Sequence, residues 1–227
     1  MDYDFTISSY CNAACPSCKR YESHNNPIHN PNEPLHPGLI QSHMDFDVFK
    51  SIIERDIDLF KNKSVSYEGE LGDPMVHPHI KSFIDFGVKI FGWVGVVTNG
   101  GPRTPKFFND LGNTYSRLGV MFSIDGLHDD LNGLYRRKVN TQKAIDNMIA
   151  FSKSKYGCKN ASWQYIIFEH NWFEIPEVLD FAKLYDIQIV LKINTRPKFR
   201  IKDRLIPNVV DLYERNKFRL STLVLAN

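Results

Sequence analysis

Short runs rich in β-branched and aromatic residues alternate with amphipathic segments along almost the whole chain, and this rhythm limits the fold more than any other feature. The runs DFTIS (4–8), SVSYE (64–68), WVGVVT (93–98), LGVMFSI (118–124), SWQYIIF (162–168) and IQIVLKI (187–193) read as six strands. Between them, apolar residues recur three and four apart over 45–62, 78–90, 104–112, 140–155 and 174–185, which predicts helices, with Asp45 and Asn140 as N-caps. Strands and helices that alternate in this way favour a parallel sheet joined by right-handed crossovers. Six such repeats make either an open, doubly wound flavodoxin-like sheet or a curved, incomplete (β/α)6 barrel.

At 227 residues with 42% apolar content, the chain is long enough to bury one sizeable core, so a single domain over 1–227 is expected. A formal net charge of +2 gives no sign of a polyanion partner, and nucleic acid is not expected. The start MDYDFTISSY has no signal-peptide pattern, and no stretch approaches the roughly 20 apolar residues of a membrane span. The expectation is a cytoplasmic protein.

Three of the four cysteines, Cys11, Cys15 and Cys18, fall within CNAACPSC, directly after the first strand. In a reducing compartment such a cluster holds metal more often than it forms disulfides. A structural zinc would take a fourth ligand, which His24, His29 or His36 could supply. An iron–sulfur cluster on three cysteines would instead keep one iron open. The proline- and asparagine-rich stretch 24–42 that follows belongs on the C-terminal side of the sheet, where α/β proteins build their sites, and reads either as a substrate cover or as a plain mobile loop.

Four later segments occur in a fixed order after successive strands: GELGDPMVHP (69–78), TNG (98–100), SIDGL (123–127) with LYRR (134–137), and IIFEHN (166–171). With C-x-x-x-C-x-x-C, this order resembles the radical S-adenosylmethionine (SAM) superfamily over roughly residues 4–195. The similarity is greatest to the branch of molybdenum-cofactor, sulfatase-maturing and peptide-modifying enzymes. The resemblance implies the incomplete (β/α)6 barrel, with 196–227 as a short C-terminal extension. It also implies a [4Fe–4S] cluster on Cys11, Cys15 and Cys18, with SAM on the open iron and an electron donor such as flavodoxin or ferredoxin. The implied reaction is reductive cleavage of SAM to a 5′-deoxyadenosyl radical that takes hydrogen from a substrate. A peptide or protein is the first expectation for that substrate, and a nucleotide or small metabolite the second.

By the same resemblance, Gly72, Asp73 and Pro74 match the glycine-glutamate-proline segment that receives the SAM ammonium, with Asp73 one methylene shorter than the usual glutamate. Glu68 and Glu70 are substitutes there. Ser17 stands where relatives commonly place an aromatic residue against the adenine. Ser123 and Asp125 match the fourth-strand contacts to SAM, and Arg136 or Arg137 would pair with its carboxylate. Asn171, with Lys192 or Asn194, would contact ribose or substrate. Cys158 precedes the fifth strand, on the face opposite the site, and reads as an ordinary free cysteine. With no further cysteine beyond it, one cluster is expected. The basic residues Arg196, Lys198, Arg200, Lys202 and Arg204 read as a solvated edge, with contact to an acidic substrate or phosphate as the alternative.

Overall fold

The computed structural model describes residues 1–21, 34–194 and 201–225. Its centre is one sheet of seven strands: β1 (Tyr3–Phe5), β2 (Ser64–Tyr67), β3 (Trp93–Thr98), β4 (Leu118–Ser123), β5 (Ala161–Ile167), β6 (Gln188–Ile193) and β7 (Ser221–Val224). All neighbours are parallel and the spatial order is the sequence order, β1 to β7. A monotonic order with right-handed crossovers sends every connection to the same side of the sheet, whereas a doubly wound fold reverses direction. The sheet therefore curls as part of a barrel. β1 and β7 are not paired with each other, so the barrel is open.

The crossovers carry α1 (Phe46–Arg55), α2 (Ile57–Phe60), α3 (Ile80–Ile90), α4 (Pro105–Thr114), α5 (Asp129–Tyr135), α6 (Thr141–Ser152), α7 (Gly157–Asn160), α8 (Ile175–Leu184) and α9 (Ile206–Asn216). Both expected N-caps form. Asp45 accepts from the amides of Asp47 and Val48, and Asn140 accepts from Lys143, contacts worth about 1 kcal/mol each. The single helix expected over 45–62 is instead two, broken at Asp56, whose backbone leaves the helical region (φ −111°, ψ 37°). α5 and α7 fall in segments the periodicity left as connections. The C-terminal stretch holds α9, followed by β7, a seventh strand beyond the six read from the sequence.

The core fills the space between sheet and helices. Phe49 of α1 packs on Phe83 of α3 with ring centroids 5.0 Å apart, Phe108 of α4 lies 5.2 Å from Phe122 of β4, and Trp163 of β5 lies 5.8 Å from Phe181 of α8. Buried polar tips are satisfied: the Tyr67 hydroxyl donates to the Phe83 carbonyl (2.9 Å) and the Trp163 indole to the Ile124 carbonyl (2.8 Å). Because the strands are parallel, the segments that follow β1 to β5 all emerge at one end of this core. No helix among the described residues is long and apolar enough to cross a membrane.

Candidate cofactor site

The segment after β1 carries the cysteines, and its backbone is pinned on two sides. The Tyr10 carbonyl accepts from the Asp73 amide (2.8 Å), tying the cysteine loop to the segment after β2. The Ala14 amide donates to the Arg137 carbonyl (2.9 Å), tying it to the end of α5. Gly72 makes the first junction possible, since a Cβ there would stand 1.9 Å from the Ser8 carbonyl oxygen. The far end of the 24–42 stretch joins the same assembly: the His36 amide donates to the Arg20 carbonyl (2.8 Å), and Tyr21 and Leu35 form an antiparallel bridge. Residues 24–33 of that stretch, including His24 and His29, lie outside the described residues, as do Arg196, Lys198 and Arg200.

Between these loops is a cavity of about 1050 Å³. Cys11, Cys15, Cys18, Ser17, Gly72, Asp73, Ser123 and Arg136, all named from the sequence, line it together. Glu68 and Glu70 line it as well, with Asp4 of β1. Pro74, Asp125, Arg137 and Asn171 are not on its wall, and Lys192 and Asn194 are not either. Cys158 is exposed on α7, ahead of β5, at the opposite end of the strands.

Several candidates have their polar atoms engaged within the fold. Asp73 is buried, and its carboxylate accepts from the Met75 amide (2.9 Å), the Asn99 amide (2.8 Å) and the Thr98 hydroxyl (2.9 and 3.0 Å to its two oxygens). Burial pushes its pKa up, while the Asn99 and Met75 amides, the Thr98 hydroxyl and the Arg136 charge oppose the rise. The geometry, in which both amides donate to it, fits the ionised carboxylate. Asn171 donates to the carbonyls of Asp125 (2.9 Å) and Ile166 (3.0 Å) and accepts from the Phe168 amide (2.7 Å), stapling β4 to the end of β5.

Asp125 is fully buried and separates the two neighbouring arginines. Its Oδ2 accepts from Arg136 Nε at 2.7 Å, while Oδ1 accepts from the Ile166 amide at 2.7 Å. Burial raises the Asp125 pKa against the opposing Arg136 charge. Arg136 is thus aimed into the cavity beside Cys15, whereas Arg137 contributes its carbonyl to the cysteine loop.

Burial also pushes up the thiols. Cys11 rises to about 12, with the Asp73 charge adding to burial, and Cys15 rises despite the Arg136 charge. Metal binding would displace these protons. Asn99, given no role of its own within the TNG segment, lies beside Cys11. Its side-chain amide faces Cys11 Sγ at 3.6 Å and donates to Asn12 Oδ1 at 2.8 Å, while its own Oδ1 accepts from the Gly101 amide at 2.8 Å. Gly100, at φ +77°, turns the chain there.

No protein-family model and no curated protein sequence matches the chain. Solved structures do. SuiB from Streptococcus suis, bound to S-adenosylmethionine, superposes with a TM-score of 0.67 at 17% identity, over 99% of this chain and 50% of that one. The protein anSMEcpe with bound AdoMet gives 0.68 at 15% identity, over 97% of this chain and 62% of that one. The chain shares the open α/β-barrel fold of these structures. SuiB bound to its precursor peptide SuiA matches at 0.65 and 17% identity, over 99% of this chain and 48% of that one. The chain therefore spans about half to three-fifths of the length of these structures.

Among the described residues, no three of His, Cys, Asp and Glu come together as ligands for a single metal ion. The three thiols do share one cavity, and two buried polar atoms beside Cys18 have no hydrogen-bond partner among the described residues: Ser17 Oγ and Arg20 Nε. Ser17 also holds a left-handed backbone, φ 63°, unusual for a residue with a side chain. Thiols with unused donors around them suit an anionic iron–sulfur group.

Proposed function

We propose that this chain is a radical SAM enzyme in which Cys11, Cys15 and Cys18 hold one [4Fe–4S] cluster and the cavity beside them receives SAM. The observation that carries this reading is the convergence of the three motif cysteines, Ser123 and Arg136 on a single cavity at the strand ends. When bound, the cluster and SAM would supply a one-electron cleavage that gives methionine and a 5′-deoxyadenosyl radical able to take hydrogen from a substrate. The chain would work as one catalytic unit in a reducing compartment such as the cytoplasm, reduced by a flavodoxin or ferredoxin.

The protein's own contribution is binding, orientation and dryness. Arg136, held by Asp125 through Nε and hydrogen-bonded to Cys15, would turn its other guanidinium donors to the SAM carboxylate. Gln164 donates to the Ser123 hydroxyl at 3.4 Å, which orients the serine at the cavity wall. With the Asp73 carboxylate engaged by Met75, Thr98 and Asn99, the SAM ammonium would fall to backbone carbonyls of the 69–74 segment or to Glu68 or Glu70 on the same wall. Glu70 already pairs with exposed Lys19, and the Glu68 pKa is pushed up by burial and by Asp4.

For the substrate we favour a peptide or protein, because the similar structures include SuiB with its precursor peptide and anSMEcpe with the Cp18Cys peptide. Anaerobic reconstitution tests the whole reading. Brown protein with about four irons that releases 5′-deoxyadenosine with dithionite supports it, and colourless protein with one zinc and no SAM cleavage overturns it. Deuterium carried into 5′-deoxyadenosine from a labelled peptide, rather than from a labelled small metabolite, would fix the substrate class.

A further inference from the structure

Arg20 follows Cys18 by two residues, is 4% exposed and lines the same cavity. A buried guanidinium is strongly unfavourable unless an anion or a full set of acceptors meets it. Arg136 has Asp125 at 2.7 Å, and Arg103 donates to the carbonyls of Met75 (2.8 Å) and His77. Among the described residues, Arg20 has only a long contact from Nη1 to the Ala13 carbonyl (3.4 Å), its Nε is buried without a partner, and no carboxylate pairs with it. It is nonetheless well fixed, since its carbonyl accepts from the His36 amide (2.8 Å) and the next residue enters the Tyr21–Leu35 bridge. Backbone ties thus hold a cation against the cysteine loop, on the wall of a cavity that can supply its anion.

We propose that Arg20 is the built-in counter-charge of the iron–sulfur cluster, a positioning residue that makes the cluster easier to reduce. The inference rests on the cluster reading above. A two-plus [4Fe–4S] core with three thiolates carries one net negative charge. One electron from a low-potential reductant doubles that charge, and no proton need move. A fixed, desolvated cation stabilises the doubly charged state more than the singly charged one. The SAM carboxylate is left to Arg136, which reaches the cavity beside Cys15 from the end of α5.

The test is a redox titration of reconstituted protein without SAM, followed by the electron paramagnetic signal of the reduced cluster, with iron content and circular dichroism for each variant. Arg20→Gln should lower the reduced-to-oxidised ratio at a fixed potential about tenfold, equivalent to about 59 mV for a one-electron couple. Arg20→Lys should recover most of it, and Lys19→Gln, exposed and next in the chain, should change the ratio less than about twofold. If Arg20→Gln loses iron while Arg20→Lys retains it, charge is needed to hold the cluster, which also supports the proposal. Loss of iron from both variants would mean the guanidinium shape is what matters, and would overturn it. So would an unchanged potential in Arg20→Gln or an equal shift in Lys19→Gln. Failure of the wild-type protein to take up a cluster would instead remove the proposed function itself.

Discussion

Replacing Asp73 by asparagine separates a structural carboxylate from a cofactor contact, because the two side chains have the same shape. In the wild type, Oδ1 accepts from the Met75 amide and Oδ2 from the Asn99 amide, while the Thr98 hydroxyl reaches both. An amide can accept at only one of its two ends. Whichever way the substituted side chain is turned, its NH2 group faces a backbone N–H, one buried amide loses its acceptor, and the remaining bonds lose their charge. An orphaned buried amide costs about 1–3 kcal/mol, and the change from charge-assisted to neutral bonding costs about 1 kcal/mol or more per bond. The expected loss is therefore about 3–5 kcal/mol, or about 6–20 °C in Tm at this chain length. Urea unfolding of iron-free protein, followed by far-ultraviolet circular dichroism, measures it. A loss below about 1 kcal/mol would refute the reasoning. A variant as stable as wild type that binds SAM poorly would return the carboxylate to direct contact with the ammonium.

Three further outcomes follow from single contacts. Gly72→Ala forces a Cβ to 1.9 Å from the Ser8 carbonyl oxygen and should cost about 3 kcal/mol or more along with iron uptake, whereas Gly133→Ala in α5 meets nothing within 4 Å and should gain about 0.5–1 kcal/mol; urea midpoints and iron assays check both. His77 donates from Nε2 to the Met44 carbonyl and accepts at Nδ1 from the His79 amide, and burial lowers its pKa below the ordinary 6.5. Below that value the unfolded chain takes up the proton first, so Tm should fall as pH drops from about 7.5 to about 5.5, and less steeply in His77→Gln. Cys15→Ala should lose both the colour of reconstituted protein and SAM cleavage, while Cys158→Ala, exposed on α7, should keep both; absorbance and 5′-deoxyadenosine release report them.

The sheet was largely legible because burial on both faces leaves a local mark: β2 to β6 lie within two residues of the runs that announced them. β7 was not, since Ser221–Val224 is only four residues long and alternates half-buried with exposed. α5 was hidden by Asn132 and Gly133, poor helix formers that the fold tolerates because Asn132 accepts from the Asp125 amide and donates to the Thr141 hydroxyl. The cysteine motif could be read because its chemistry lies within eight residues. The engagement of Asp73 could not, because Thr98 and Asn99 are separated from it by 25 and 26 positions.

The two neighbouring arginines show most clearly what residue type alone leaves open. Arg136 and Arg137 are equal as residue types, and α5 ends at this pair. What distinguishes them is one buried carboxylate eleven positions earlier, Asp125, which meets the first guanidinium at 2.7 Å and turns it toward the cavity. Asp125 is in turn fixed by the Ile166 amide and by Asn132, so β4, α5 and β5 must all be in place before either arginine has a role. Removing that carboxylate as Asp125→Ala would leave Arg136 charged and buried, a change worth about 3–5 kcal/mol in comparable pairs. Loss of stability should therefore accompany any loss of SAM binding in that variant. By the same reasoning, Arg20→Gln should not destabilise the iron-free protein, since no carboxylate in the described fold depends on it. That contrast, read from urea midpoints of the two variants, distinguishes an arginine the fold has already paired from one held in reserve for a bound anion.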